Sequence, residues 1–334
     1  MKEFISTFIT GFENIVVREL QRNLREIRII RVYSGLIHYG YNGDIQNINR
    51  LFFLNNTFAL VKAFTGSNLT FELMVNKVSK TNFESIVPNS TFRVRFSREN
   101  QFSKVSKKTC GIAEQTILHS SKLRLDRLNP NTEFWYIIRS EGIGFFGQLL
   151  SKRRTTEKLL QKGELRPEFA YLLCGCCDIN PHSIVCDPFA GYGAIPLQIV
   201  KHFKFKKLYV NDNGKGCFNY LSTLPLAKNR KVILSFRDAL HLDHIPDASV
   251  DTIITDPPWG MYNHIGDVSD FYCEMLIELM RILTHDGTLV VLTGKVEELR
   301  DSARKANIRI SSDFSTLVNG KKASVFILDK HESI

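Results

Sequence analysis

Residues 183–203 read SIVCDPFAGYGAIPLQIVKHF. An apolar run ends at Asp187-Pro188, two glycines follow at Gly191 and Gly193, and a helix-forming stretch begins at Ala194. Strand, glycine turn and helix in that order open a parallel α/β sheet. The glycines permit a tight turn and let a ligand come close to the backbone. The helix that follows presents free N–H groups and a positive dipole end, a place for an anion.

The alternation continues outward from this stretch. KKLYVND (206–212), KVILSFRDA (231–239), VDTIITDP (250–257) and GTLVVLTG (287–294) read as further strands, and FYCEMLIELMRIL (271–283) as an amphipathic helix. Residues 308–328 carry Asn319-Gly320 between two strand patterns, a hairpin signal. Residues 165–334 are therefore expected to form a doubly wound, mostly parallel sheet with an antiparallel hairpin at its end.

The first half reads differently. EFISTFIT, ENIVVRELQRNL, IRIIRVYSGLIHYGY, IQNINRLFFLN and FALVKAF give the order β-α-β-β-α-β, so residues 1–65 are expected to be ferredoxin-like. Residues 66–150 read as a second α+β unit, with a strand at TFRVRFS, a helix opened by Ser106 and a hairpin around Glu141-Gly142. Residues 151–164 read as a linker or connecting helix.

Composition narrows the classes. The chain has 334 residues, 43% hydrophobic and 23% charged, enough for two or three globular domains. No apolar run approaches the ~20 residues of a membrane helix, and the opening MKEFISTFIT reads as a strand and not a signal peptide. Seven cysteines, four of them between Cys174 and Cys186, point away from a disulfide framework and toward a reducing, cytoplasmic compartment. Cys174, Cys176 and Cys177 read as buried thiols, and neither they nor His241 and His244 complete a metal site. The net charge of +10 is uneven: residues 1–164 hold 25 Lys and Arg against 14 Asp and Glu, and the remainder 19 against 20. A basic arm on a neutral body suits a polyanion.

The glycine turn does not match a dinucleotide fingerprint, because Pro196 stands where the third glycine belongs. The carboxylate of S-adenosylmethionine is the alternative anion. Asp212, about twenty residues on, is placed to accept from ribose hydroxyls. Asp238 is placed to accept from an adenine amine, with the Ala239 amide toward the ring. Asp256-Pro257-Pro258-Trp259 then offers a carboxylate and a carbonyl on a stiff corner beside a flat ring. Together they can accept from an exocyclic amine, stabilise the charge it develops on methylation, and stack its base.

TDPPWG resembles the D/N-P-P-Y/F/W motif of S-adenosylmethionine-dependent methyltransferases acting on base amines. With DPFAGYGAIP, GELRPEFAYLLC (163–174), NGKKASVFIL and the N-terminal pattern, nearly the whole chain is similar to THUMP-containing RNA guanine-N2 methyltransferases. The resemblance implies a class I methyltransferase domain over 165–334, preceded by ferredoxin-like (1–65) and THUMP (66–150) domains that bind the acceptor end of tRNA. It implies catalysis by Asp256, Pro257, Pro258 and Trp259. It implies cofactor contacts at Asp187, Phe189, Ala190, Gly191, Gly193, Asp212, Asn213, Asp238, Ala239, Asp256 and Pro167, with Arg166 also lining the site. Some relatives require a small activating partner, and some act on ribosomal RNA. Adenine-N6 enzymes also use D-P-P-W, and a catalytically inactive RNA-binding scaffold is the alternative outside enzymes.

Overall fold

The computed structural model describes residues 1–86, 90–152, 160–161, 163–260 and 267–330. Most of the expected linker, 151–164, lies outside them. The chain divides into two compact units, one of residues 1–8 and 20–153, the other of residues 9–19 and 154–334.

In chain order the elements are β1 (Lys2–Thr7), α1 (Glu13–Asn23), β2 (Arg28–Tyr33), β3 (Leu36–Tyr41), α2 (Ile45–Asn49), β4 (Asn56–Thr65), α3 (Phe71–Val78), β5 (Thr91–Arg98), β6 (Gln101–Phe102), α4 (Lys107–Ser120), β7 (Arg124–Leu125), β8 (Thr132–Arg139) and β9 (Ile143–Lys152). There follow α5 (Pro167–Cys174), β10 (Ile184–Asp187), α6 (Ala194–His202), β11 (Lys207–Asn211), α7 (Lys215–Thr223), β12 (Val232–Ser235), β13 (Val250–Thr255), α8 (Val268–Ile282), β14 (Leu283–Thr293), α9 (Val296–Lys305), β15 (Arg309–Val318) and β16 (Lys321–Asp329).

Among the described residues of the first unit, one sheet runs β2-β3-β1-β4-β9-β8-β5-β6, with β7 added beside β5. The β1, β2, β3 and β4 neighbours are all antiparallel. β4 is long enough to pair with β1 on one edge and β9 on the other, so the sheet continues past residue 65. Period-two alternation in β5 sends Phe92 and Phe96 into a core with α3 and α4, and leaves Arg93 and Arg95 on the opposite face. The helix expected over 45–55 stops after Asn49. Leu51 and Leu54 instead make three-residue backbone bonds, which turn the chain so that Leu51, Phe53 and Leu54 are all buried.

The second unit holds a sheet of order β12-β11-β10-β13-β14-β16-β15. The first five strands are parallel and the last two form an antiparallel hairpin. Asn319 and Gly320 both take positive φ at its turn, the I′ geometry that suits the strand twist. Tyr272, Met275, Leu276 and Leu279 of α8 pack into the apolar core that carries the sheet. Residues 9–19 group with this unit. Phe12 meets Phe169 and Phe314 edge-on, and Tyr171 donates to buried Glu19. Cys174, Cys177 and Cys186 are buried, and burial raises their thiols well above the usual range.

Candidate active site

The strand order reverses between β10 and β13, so the loops leaving their carboxyl ends diverge and open a crevice. Both loops begin Asp-Pro. After β10 the chain turns through Gly191 (φ 53°) and Gly193 (φ 87°), and Gly193 caps α6. A Cβ on Gly193 would also lie 2.9 Å from Leu221, whereas one on Gly191 would meet nothing. Pro196 sits in the first turn of α6, where its missing N–H leaves no helix bond unmade.

Asp212 closes this turn. Its carboxylate accepts from the Gly191 and Gly214 amides, both at 2.7 Å. Beneath it, buried Asn211 ties three loops together. Its amide donates to the Pro188 and Arg237 carbonyls, its side-chain oxygen accepts from Ser235, and its backbone carbonyl accepts from the Ala190 N–H. Asp187 is buried. One oxygen accepts from the Phe189 amide and the Thr255 hydroxyl, while the other has no partner. Burial, aided by Asp212 and Asp256, pushes its carboxyl well above the usual range despite those two bonds. A bare oxygen on a buried carboxyl calls for a donor, best a cation.

After β13, Asp256 accepts from the Trp259 indole N–H at 2.9 Å. Burial pushes the Asp256 carboxyl up to about 7, against the lowering effect of that bond. The Trp259 ring lies so close to Gly294 that a Cβ there would stand 2.6 Å from it. Buried Tyr272 donates to the Pro258 carbonyl at 3.3 Å and pairs with Thr293 at 2.8 Å, and Thr293 accepts from the Lys295 amide. An amide can only donate and a carbonyl only accept. The hydroxyls between them are thus oriented from Lys295 toward Pro258, which fixes the corner.

Two cavities meet at this corner. The larger, about 480 Å³, is lined by Asp187, Phe189, Ala190, Gly191, Asp212 and Asn213 among others. The smaller, about 170 Å³, is lined by Asp256, Pro257, Pro258 and Trp259, by Leu165, and by the β15–β16 turn at Val318, Asn319 and Lys321. Asp256, Pro258 and residues 163–165 border both. Gly193, Asp238, Ala239 and Pro167 line neither. Gly193 serves the turn, exposed Asp238 accepts from the Leu240 amide in its own turn, Ala239 is buried, and Pro167 opens α5 behind Leu165.

Residues 227–322 match the family model described as UPF0020: RMKL-like, methyltransferase domain. A tRNA (guanine(6)-N2)-methyltransferase of Thermus thermophilus is 26% identical over 210 residues, 61% of this chain and 62% of that protein. The chain thus aligns with less than two thirds of that relative's length. TrmN from Thermus thermophilus has the same fold, with a TM-score of 0.77 at 19% identity over 99% of this chain and 100% of that one. A possible methylase from Clostridium difficile 630 gives 0.74 at 15%, over 100% and 99%. SMU.472, solved complexed with SAH, gives 0.71 at 14%, over 100% and 99%. These likenesses in shape show a common fold.

Proposed function

We propose that this chain is an S-adenosylmethionine-dependent methyltransferase that forms N2-methylguanosine in tRNA. The observation that carries the reading is the meeting, at Asp256 and Pro258, of a larger cavity that holds Asp187, Asp212 and the glycine turn with a smaller one that holds Trp259. One cavity has the chemistry for a donor and the other the size for a base, with acceptors between them.

The residues fit S-adenosylmethionine. The unpartnered oxygen of Asp187 suits its ammonium. The Gly191 turn gives backbone access, and Asp212, already held by two amides, keeps acceptor capacity for ribose hydroxyls. Bound there, S-adenosylmethionine supplies an electrophilic methyl on a sulfonium. Asp256 and the Pro257 carbonyl accept from the target amine, turn its lone pair out of conjugation and stabilise its developing positive charge. Trp259 holds Asp256 through its N–H and offers ring surface to the base. Tyr272 keeps the Pro258 carbonyl, and with it the corner, in place.

The substrate follows from the basic first half and from the naming of the Thermus relative as a tRNA enzyme. In this reading residues 1–65 are a ferredoxin-like domain and 66–150 a THUMP domain that holds the acceptor end. Among the described residues no helix is long and apolar enough to cross a membrane. With the cysteines free, the cytoplasm is the proposed compartment.

The test is to incubate the purified chain with unmodified tRNA and labelled S-adenosylmethionine, digest the RNA and identify the methylated nucleoside by mass. N2-methylguanosine is expected. N6-methyladenosine, which the D-P-P-W corner could equally serve, would replace the base assignment. No label in tRNA, with label in ribosomal RNA incubated in parallel, would replace the substrate. Activity only after addition of cell extract would point to an activating partner.

A further inference from the structure

The first unit carries an aromatic feature that the proposed chemistry leaves unused. β5 and β6 form a tight hairpin whose turn residues, Glu99 and Asn100, have φ of 49° and 63°. That region disfavours residues other than glycine, so the turn needs support. The Glu99 amide supplies some, donating to the Ile138 carbonyl at 3.1 Å. The hairpin returns Phe102 over Trp135, with ring centroids 5.2 Å apart, yet Phe102 stays 63% exposed. Trp135 is itself fixed, because its indole N–H donates to Glu133 at 2.7 Å. The Arg95 guanidinium lies 5.0 Å over the Phe102 ring, and its buried Nε has no hydrogen-bond partner.

The geometry points to Phe102 and Arg95 as a stacking platform for an unpaired nucleobase of RNA, with Arg95 also within reach of the adjoining phosphate. This rests on the reading that the basic half of the chain binds RNA. A flat exposed ring takes any base by its π face, and an arginine beside it adds cation–π attraction and charge complementarity. The base has to be unpaired, since one inside a helix shows its edges and not its face. The net charge of +11 over residues 1–164 favours this polyanion over an apolar protein partner.

The chain has two tryptophans, so Trp259→Phe in the full-length protein leaves Trp135, directly under Phe102, as the one tryptophan that selective excitation reports. Single-stranded oligoribonucleotides should quench it, and a blunt RNA duplex of equal length should not. Phe102→Ala should weaken single-strand binding by about tenfold and leave duplex binding unchanged. Phe102→Tyr should restore it. Phe102 is exposed, so its loss should not unfold the protein, and the melting temperature checks this. Equal single-strand affinity in wild type and Phe102→Ala overturns the platform, as it would if the patch served a protein. If wild type binds no RNA in a salt-dependent way, the platform and the tRNA reading fall together. Binding by wild type with no effect of Phe102→Ala sinks the platform alone.

Discussion

The two loops that face each other across the crevice both start Asp-Pro, and they do opposite things with it. After β10 the chain continues FAGYG and folds into a cradle: Asp187 is buried, and the glycines free the backbone to curve around a cavity. After β13 it continues PWG and becomes a corner. Asp256 stands at the border of two cavities, and its neighbours Pro257, Pro258 and Trp259 are held by fixed φ, by Tyr272 and by Gly294. A buried acid with a bare oxygen suits binding a cation. An acid that lines a cavity and holds a directed hydrogen bond suits acting on a neutral amine. In the proposed reading the same dipeptide serves affinity in one loop and rate in the other.

Removing each acid in turn separates the two roles. Asp256→Ala should lower the single-turnover methylation rate by roughly 10²–10³, the size of losing one preorganised polar stabiliser. Its affinity for S-adenosylmethionine and tRNA should stay near wild type. Asp187→Ala should do the reverse, weakening S-adenosylmethionine binding in calorimetric titration by roughly 10- to 100-fold, as loss of a bond to a charged group does. If Asp256→Ala loses donor affinity and keeps its rate, the roles are misassigned.

The glycines sharpen the cradle side with a smaller effect. Gly193→Ala meets both an unfavourable φ and the Leu221 contact, whereas Gly191→Ala meets the φ alone. Denaturant unfolding should show Gly191→Ala destabilised by about 1–2 kcal/mol and Gly193→Ala by more. Equal losses would mean that Leu221 yields freely.

How far the sequence revealed this site depends on how local each part is. The glycine turn and the D-P-P-W corner are contiguous, and each follows an apolar run, so their position at strand ends could be read directly. The I′ hairpin was equally legible, because Asn319-Gly320 states its own φ requirement. Asn211 was visible only as a residue before Asp212. Its work of binding three loops appears once β10, β11 and β12 lie side by side. Tyr272 and Thr293 looked like part of an amphipathic helix and a strand end, and only closure of the sheet brings them to Pro258. The grouping of residues 9–19 with the second unit had no local signal, since Phe12 and Glu19 find partners at Phe169, Phe314 and Tyr171. Nor did the helical stretch 45–55 show its early end, which three burying side chains impose.

The smallest expected effect tests the corner most finely. The Asp256 carboxyl is up to about 7 because burial disfavours its charge, and the Trp259 N–H works against that rise. The ionised form is the better acceptor for an amine becoming positive, so kcat/KM should climb as pH rises through about 7 and level off above it. Trp259→Phe keeps a ring beside the base but removes the N–H. The carboxyl then loses a bond that favoured its ionised form, and the limb should move to higher pH. Below pH 7 the variant should be slower than wild type by more than its deficit on the alkaline plateau. A deficit of the same size at every pH would assign Trp259 to stacking alone and remove its bond to Asp256 from the mechanism.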